Sequence, residues 1–384
     1  MLRQISGHLA QGEAMYPHLR LTGDATARGQ QYGESARDRV RLSIDAYRDI
    51  FNHYAKWDWA RVTAEAERFI APISAFGEHY IAEIQGIADG ANVPLLDIVA
   101  INVRTEIMFA AKARDASVSL PRAGECTAFV AIPDSGGGVL IGQNWDWKAH
   151  AFDTTVILEV DPSDGPRYVT VVEAGLLAKA GMNEHGIGIA TNALICSDDA
   201  GEPGVPYHVL LRALLETTNP TDALIALQRA GRASSASYLI GHRDGLGLGV
   251  EAAPGDFSRL FLTQPDQRGL VLHANHFTHP DFDRVDVGAW AMPDSVFRLQ
   301  RITRELQRSN PYAGSTFETL LADHAGHPNG ICCHPSPSSI PAENDATIFG
   351  LIMNLTDQTM RLSDGPPCEA GYRTLDYSEF FALR

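Results

Sequence analysis

The spacing of apolar residues divides the chain into a helical first third and a longer part rich in strands. Apolar positions recur every three or four residues, which predicts helices over 25–53, 59–76, 77–91 and 95–109. From Cys126 onward the period changes to two, which predicts strands at 126–132, 138–147, 154–161, 166–173, 176–182 and 186–192. The small and polar residues of 110–124 between these parts predict an exposed linker.

The rest of the sequence alternates between the two periods. Helices are predicted at 206–217, 220–231, 293–308 and 315–325. Strands are predicted at 236–242, 246–253, 259–263 and 269–274, with a final hairpin over 346–355 and 358–363. Successive strands joined by short turns, with helices before, between and after them, indicate an α+β fold of stacked layers.

Composition and charge narrow the class of protein. The chain has 384 residues, 45% hydrophobic and 20% charged, as expected of an ordinary globular protein with a large core. A formal net charge of −16 argues against nucleic-acid and anionic-membrane partners, which need a basic face. We find neither a signal-peptide core nor a run of about 18 apolar residues, so no membrane partner is expected. Five scattered cysteines do not suggest a disulfide framework, and a reducing cytoplasm is predicted.

Cys126 is the strongest candidate for chemistry. It opens a strand-like run, and the next predicted strand ends in Gly142-Gln143-Asn144-Trp145-Asp146-Trp147. A cysteine thiol is a strong nucleophile near neutral pH once a base takes its proton. If the bond between Glu125 and Cys126 breaks, the new α-amine, with an unperturbed pKa of about 8, can be that base. The ordinary alternative for a single cysteine is a small buried hydrophobe.

Two further polar residues are placed where they can assist Cys126. Asp146 ends the strand predicted to pair with the Cys126 strand, so its carboxylate can hold the new ammonium; otherwise it is a turn aspartate. Its alternation with Trp145 and Trp147 predicts that the carboxylate and the indoles point to opposite faces. Asn275 follows an apolar strand and either donates to an oxyanion or closes the strand. Asn192 has the same two interpretations, with strand closure favoured.

Four segments of the chain together resemble the acyl-coenzyme A:6-aminopenicillanic acid acyltransferase family, self-processing cysteine N-terminal-nucleophile amidohydrolases. These segments are 125–127, 142–146, 182–188 and 273–277. The likeness covers nearly the whole chain and includes 83–90 and 102–106 in the helical third. The family commonly has glycine before the cysteine. Glu125 here restricts the strained backbone that self-cleavage favours, which allows slow or incomplete cleavage.

The resemblance implies a four-layer αββα sandwich with a helical N-terminal segment. Residues 1–125 and 126–384 would be the two fragments of a cut precursor, associated as one structural domain. Position by position, Cys126 resembles the nucleophile, Asp146 its carboxylate partner and Asn275 the oxyanion donor. Side chains expected to bind substrate are Glu106, Asn192, Trp145, His276 and Phe277.

The predicted function is cleavage of a small N-acyl amide through a Cys126 thioester. Hydrolysis is favoured over acyl transfer, because water needs no second binding site. Candidate substrates are N-acyl amino acids, acyl-homoserine lactones, β-lactam side-chain amides and small peptides. One alternative is an uncut, non-catalytic relative that binds a small amide or a partner. Another is an uncut thiol enzyme whose base is one of His185, His273 and His276.

Several features stay open at this point. The catalytic arginine is not selected among Arg104, Arg298 and Arg361, and a homo-oligomer is neither indicated nor excluded. No cofactor is expected. Metal-ligand side chains do gather at His324, His327, Cys332, Cys333 and His334. Because His-x-x-His followed by adjacent cysteines is not a familiar zinc spacing, we expect a polar loop and no metal there.

Overall fold

Two β-sheets lie face to face at the centre of the molecule. The computed structural model describes residues 16–115, 118, 126–134, 136–309, 311–335, 338 and 340–382. Its strands, in chain order, are β1 (His18–Gly23), β2 (Thr127–Ala131), β3 (Leu140–Lys148), β4 (Thr155–Pro162), β5 (Tyr168–Glu173), β6 (Ala180–Asn183), β7 (Ile187–Ala193), β8 (Ala236–His242), β9 (Leu246–Ala252), β10 (Leu260–Thr263), β11 (Leu270–His273), β12 (Asp345–Asn354), β13 (Thr359–Leu362) and β14 (Arg373–Asp376).

Helices cover the outer faces of both sheets. In chain order they are α1 (Ala25–Ser35), α2 (Arg37–Ala55), α3 (Trp59–Glu67), α4 (Ile70–Phe76), α5 (Glu78–Ala91), α6 (Leu95–Asn102), α7 (Arg104–Arg114), α8 (Ala151–Thr154), α9 (Tyr207–Leu215), α10 (Pro220–Arg229), α11 (Gly288–Ala291), α12 (Asp294–Arg308), α13 (Gly314–Leu321), α14 (Pro367–Ala370) and α15 (Ser378–Ala382). None of the described helices is both long and apolar enough to cross a lipid bilayer.

The strands form one eight-stranded and one six-stranded sheet. The first has the order β1-β4-β5-β6-β7-β8-β9-β10, and the second β11-β2-β3-β12-β13-β14. β1 pairs with β4 in parallel, whereas the pairings within the six-stranded sheet are antiparallel. β2 therefore lies inside its sheet, and the register of Thr127 opposite Asn144 brings Cys126 beside the end of β3.

Three apolar layers hold the sheets and helices together. Side chains such as Ile141 and Val171 fill the space between the two sheets. The helices of the first third, with α9 and α10, pack on the eight-stranded sheet. α12 and α13 pack on the six-stranded sheet, where the rings of Phe129 and Phe317 stack with centroids 3.8 Å apart. The order helix, sheet, sheet, helix confirms the predicted αββα sandwich.

The elements differ from their predicted bounds in a few places. The predicted helix over 25–53 breaks at Ala36 into α1 and α2, and α7 runs to Arg114, into the predicted linker. Most of that linker lies outside the described residues. β6 is shorter than predicted, because 174–179 forms a turn with Gly175 at φ +97°. The strands β1 and β14 were not predicted from the sequence.

Helices α1 and α5 are in direct backbone contact. A Cβ atom added at Gly33 would lie 2.2 Å from the carbonyl oxygen of Ile87, and one at Gly29 would lie 2.2 Å from that of Glu83. Gly86 and Gly90 meet α1 in the same way from the other side. Glycine is therefore required for the two helix axes to approach this closely, which explains both glycines of the 83–90 segment.

Replacing Gly33 by alanine should lower the free energy of unfolding by about 1–3 kcal/mol, because the new methyl group forces the helices apart. Denaturant unfolding measures this change. Gly314→Ala is the matched control, since a Cβ at this first residue of α13 meets nothing within 4 Å. Equal stabilities of the two variants would contradict the close packing.

Candidate active site

Cys126 lies at the head of β2 with its backbone held from two directions. Its side chain is 3% exposed. The side-chain amide of Asn192, on β7 of the opposite sheet, donates to the Cys126 carbonyl oxygen at 2.9 Å. The Nη1 group of Arg298, on α12, donates to the same oxygen at 2.8 Å. Two donors from different layers thus fix the backbone of the candidate nucleophile.

The Arg298 guanidinium connects several polar groups of the site. Besides Cys126, its Nη1 donates to Thr127 Oγ1 at 3.1 Å, and its Nη2 donates to Asn275 Oδ1 at 3.0 Å. Asp294 pairs with Nε at 2.9 Å. A planar fork of five donors suits this arrangement, which a lysine ammonium would not reproduce.

The structure distinguishes the three arginines that the sequence left open. Arg298 touches Cys126 directly. Arg104 instead lies in a buried network with Glu173 and His208. Arg361 forms an ion pair with Glu318. Arg298 is therefore the arginine at the candidate nucleophile.

Arg298 links Asn275 to Cys126, because its guanidinium donates hydrogen bonds to both residues. Its side-chain oxygen accepts from that arginine, and its Nδ2 donates to the carbonyl of Ala193 at 3.0 Å. Its backbone N–H donates to Ser295 Oγ at 2.6 Å. Because Ala193 follows Asn192 directly, both asparagine side chains meet at the end of β7 beside the cysteine.

Asp146 and Trp145 lie on opposite faces of β3, as their alternation predicts. Trp145 is in the apolar layer between the sheets, together with Cys126. The Asp146 carboxylate is on the outer face of the six-stranded sheet, where it accepts a hydrogen bond of 2.5 Å from Thr347 Oγ1. Hydrogen bonding by the Asp146 backbone also acts to lower the pKa of the Cys126 thiol. Asp146 thus borders the nucleophile by its main chain.

The electrostatics of the site centre on a buried cation near the thiol. Burial raises the pKa of Cys126 to about 11, while the charge of Lys179 acts to lower it. Burial also lowers the pKa of Lys179 to about 8. The ammonium of Lys179 lies 4.5 Å from the ring centroid of Trp145, a cation–π contact. In the intact chain the thiol is therefore protonated at neutral pH.

Sequence reasoning did not identify Lys179. The available signal was its position, since it is a lone charge in the otherwise apolar run 174–182. A lysine in such a run is rarely buried without a functional or structural partner. Lys179 is 5% exposed, and Trp145 and Cys126 are its partners here.

The residues expected to bind substrate separate into two groups. Asn192 and Trp145 border Cys126. His276, Phe277 and Glu106 bond or pack elsewhere: His276 meets Ser295 Oγ at 2.7 Å, Phe277 stacks on Phe282 with centroids 3.7 Å apart, and Glu106 accepts from the Tyr207 N–H and the Ser234 hydroxyl. Glu125, on the other side of the expected cut, lies outside the described residues.

Two sheets between helical layers, with a buried cysteine at the head of β2, form the αββα sandwich that the resemblance to N-terminal-nucleophile hydrolases implied. The family model described as acyl-coenzyme A:6-aminopenicillanic acid acyl-transferase matches residues 134–365. The chain belongs to this family.

One curated relative and two solved structures illustrate the likeness. The chain is 27% identical over 326 residues to the acyl-coenzyme A:6-aminopenicillanic-acid-acyltransferase 40 kDa form of Emericella nidulans, covering 82% of this chain and 84% of that protein. A mutant conjugated bile acid hydrolase from Clostridium perfringens aligns with a TM-score of 0.45 at 14% identity, over 66% of this chain and 93% of its own. Penicillin V acylase from Agrobacterium tumefaciens aligns with a TM-score of 0.41 at 13% identity, over 66% and 87%.

Arg298→Lys should lower the free energy of unfolding by about 1–3 kcal/mol, because at least one buried acceptor of the guanidinium loses its donor. Urea unfolding of Arg361→Lys provides the comparison. That change keeps a charge on a partly exposed ion pair and is expected to stay within about 0.5 kcal/mol of the parent. A parent-like Arg298→Lys would show that the contacts to Cys126 and Asn275 contribute nothing.

Lys179→Met should slow alkylation of Cys126 several-fold at pH 7, where the Lys179 ammonium is still charged. The reason is that removing a neighbouring positive charge disfavours the thiolate, which raises the thiol pKa. Peptide mass spectrometry after a pH series of iodoacetamide pulses measures the rate. Lys179→Arg keeps the charge and should retain the parent rate at pH 7; a rate at pH 7 unchanged by Lys179→Met would show that the Lys179 charge does not act on the Cys126 thiol.

Proposed function

We propose that this protein is a cysteine amidohydrolase that cleaves a small N-acyl amide after cutting its own chain between Glu125 and Cys126. The main support for the proposal is the position of Cys126 at the head of β2, where hydrogen bonds fix its backbone. Asn192 and Arg298 hold its carbonyl oxygen, and the Asp146 main chain reaches its thiol. Membership of an acyltransferase family supports the same chemistry.

The self-cleavage step uses the cysteine against the bond that precedes it. The Cys126 Sγ attacks the carbonyl carbon of Glu125, the bond to the Cys126 nitrogen breaks, and that nitrogen takes the thiol proton to become a free amine. Water then opens the thioester, which gives a carboxylic acid on Glu125 and restores the thiol. Because burial keeps the thiol protonated, the step needs a proton acceptor nearby, and we assign this to the growing amine.

Turnover of an external amide repeats this chemistry in the mature protein. The α-amine takes the Cys126 proton, the thiolate attacks the amide carbonyl, and the α-ammonium returns the proton to the leaving amine. Asn275 would donate to the oxyanion, a contribution of roughly 3 kcal/mol for a well-placed donor. Asp146, at the end of β3, would orient the α-ammonium. Water then releases the acyl group as an acid.

The acyl acceptor and the substrate class are further parts of the proposal. Hydrolysis is preferred, because transfer to a second amine requires an additional binding site. The relative from Emericella nidulans is named as an acyltransferase, so an amine acceptor is the competing outcome. Trp145 beside the thiol favours an apolar acyl part, as in N-acyl amino acids, acyl-homoserine lactones or β-lactam side-chain amides.

The uncut thiol–histidine mechanism gains no support from the contacts of the three histidines. His273 directs Nε2 to Glu251 at 2.9 Å and Nδ1 to the carbonyl of Ala274. His276 is paired with Ser295, and burial lowers its pKa to about 4. His185 is exposed on a turn. Each ring therefore serves another partner or faces solvent.

Intact-mass measurement of the purified protein under denaturing conditions tests the proposal. We expect fragments ending at Glu125 and beginning at Cys126, with amidase activity in a panel of N-acyl amines followed by product mass. A single uncut chain with no activity on any member of the panel would favour the non-catalytic alternative and overturn the proposal.

Cys126→Ala should stay uncut and lose turnover by several orders of magnitude, since both reactions need the thiol. Cys196→Ala removes another buried thiol outside the site and should remain cut and active. Turnover retained by Cys126→Ala would show that another group is the nucleophile.

A further inference from the structure

Four metal-ligating side chains converge on the outer face of the six-stranded sheet. We call this set the four-ligand cluster; its members are His324, Cys332, His334 and Cys368, and their donor atoms all lie within 4.8 Å of one another. Three members follow α13, and Cys368 comes from α14. His324 is exposed, Cys332 is buried and the other two are intermediate, so the cluster is open to solvent on one side.

Four of the six separations between these atoms are close to the edges of a small tetrahedron, and the other two are within 4.8 Å. A zinc ion with bonds of about 2.3 Å to sulfur and 2.0 Å to nitrogen places its ligands about 3.8 Å apart for two sulfurs, about 3.5 Å for sulfur and nitrogen and about 3.3 Å for two nitrogens. Here the two sulfurs are 3.6 Å apart. The His334 Nε2 atom lies 3.6 and 3.4 Å from the sulfurs of Cys332 and Cys368, and 3.0 Å from Nε2 of His324.

We propose that the four-ligand cluster binds one Zn²⁺ ion with a structural role. Two thiolates and two neutral imidazoles are a common ligand set of structural zinc. Binding at neutral pH would release the two thiol protons to solvent and leave the cluster with no net charge. Four protein ligands fill the coordination sphere and leave no position for water or substrate, so the ion stabilises the fold and takes no part in a reaction.

Hydrogen bonds and a nearby carboxylate hold the ligands of the four-ligand cluster in place. The Glu369 carboxylate lies 3.8 Å from Nδ1 of His334, the ring nitrogen that does not face the cluster, as second-shell carboxylates often do. The side-chain amide of Asn144 donates to the carbonyls of Leu321 and Ile331 at 2.8 and 2.7 Å. Cys332 N–H donates to the Asp323 carbonyl at 3.0 Å. These bonds fix the segment that carries three of the ligands against β3.

Two residues, Cys333 and Thr347, connect the four-ligand cluster to Asp146 of the candidate active site. Cys333, between two ligands, donates its N–H to Thr347 Oγ1 at 2.8 Å and accepts from the Thr347 N–H at 3.0 Å. Thr347 in turn donates to the Asp146 carboxylate. A metal that fixes the 332–334 segment would therefore also fix the partner of Asp146. The zinc site itself does not depend on the proposed amidase activity.

The sequence showed three of the four ligands as a group, but its spacing led us to expect a polar loop without metal, because the fourth ligand lies far along the chain. His324, Cys332 and His334 are close along the chain, but the fourth ligand follows His334 by 34 residues. The strands β12 and β13 lie in that interval and return the chain to the same edge. His327 and Cys333 are not members of the cluster, and it was their inclusion that made the spacing unlike a known zinc motif.

Metal analysis of the full-length protein, purified under reducing conditions from zinc-supplemented medium, tests the proposal. We expect one zinc ion per chain, and less than a tenth of that in Cys332→Ser and Cys368→Ser. Cys333→Ser and His327→Gln are the matched controls from the same segment and should keep their zinc. Removal of the metal with a chelator should lower the melting temperature of the parent and leave that of Cys368→Ser unchanged.

Cobalt substitution and thiol counting separate zinc from a disulfide between Cys332 and Cys368. Cobalt in a tetrahedral site with two thiolates gives a thiolate-to-metal charge-transfer band and intense visible absorption, and both should disappear in Cys368→Ser. A protein that, when fully reduced, takes up neither stoichiometric zinc nor cobalt overturns the proposal. So does an isolated protein in which these two cysteines are already joined and no metal is found. Both outcomes are independent of chain cleavage and amidase activity.

Discussion

The hydrogen bonds to the Cys126 carbonyl oxygen are the interaction on which the arrangement of the site depends. One donor comes from the opposite sheet and the other from an outer helix, so a single backbone atom joins three of the four layers. Gln143 adds a second bridge between the sheets, since its side chain accepts from the Thr191 N–H at 2.8 Å. Each donor lies in an interior that excludes water, where leaving an acceptor unpaired costs about 1–3 kcal/mol. The relative position of the two sheets is therefore fixed at the nucleophile itself.

The sequence predicted the parts of the site that depend on local pairing. β2 and β3 are neighbours in the chain and in the sheet, so the period of two was enough to bring Cys126 beside Asp146. The role of Asn275 came from the family resemblance instead, since the pairing of β11 with the distant strand β2, which brings Asn275 to the same end, was not predicted from the sequence. The alternation of strands and helices predicted an α+β fold of stacked layers, and the family resemblance implied the four-layer αββα order.

The residues that the sequence could not select reach the site from distant elements. Arg298 is one of several arginines on an amphipathic helix, and only the packing of α12 on the six-stranded sheet shows which one faces Cys126. Lys179 directly precedes β6, in a segment that the sequence pattern predicted to be part of a strand over 176–182. In both cases tertiary packing decides which side chain reaches the site, and the spacing of apolar residues along the sequence does not reveal it.

If the chain is cut before Cys126, strand β1 belongs to one piece and the strand it pairs with belongs to the other. β1 lies ahead of the cut, yet it pairs in parallel with β4 at the edge of a sheet whose other strands all come after it. Glu83 on the early side also joins Arg212 on the late side by a buried ion pair, and Tyr47 joins Glu173. A cleaved molecule would consequently be two polypeptides with one hydrophobic core. The later piece would keep the six-stranded sheet with α12 and α13, but its eight-stranded sheet would lack β1 and the helices α1–α7, so the covalent link would matter for folding and be dispensable afterwards.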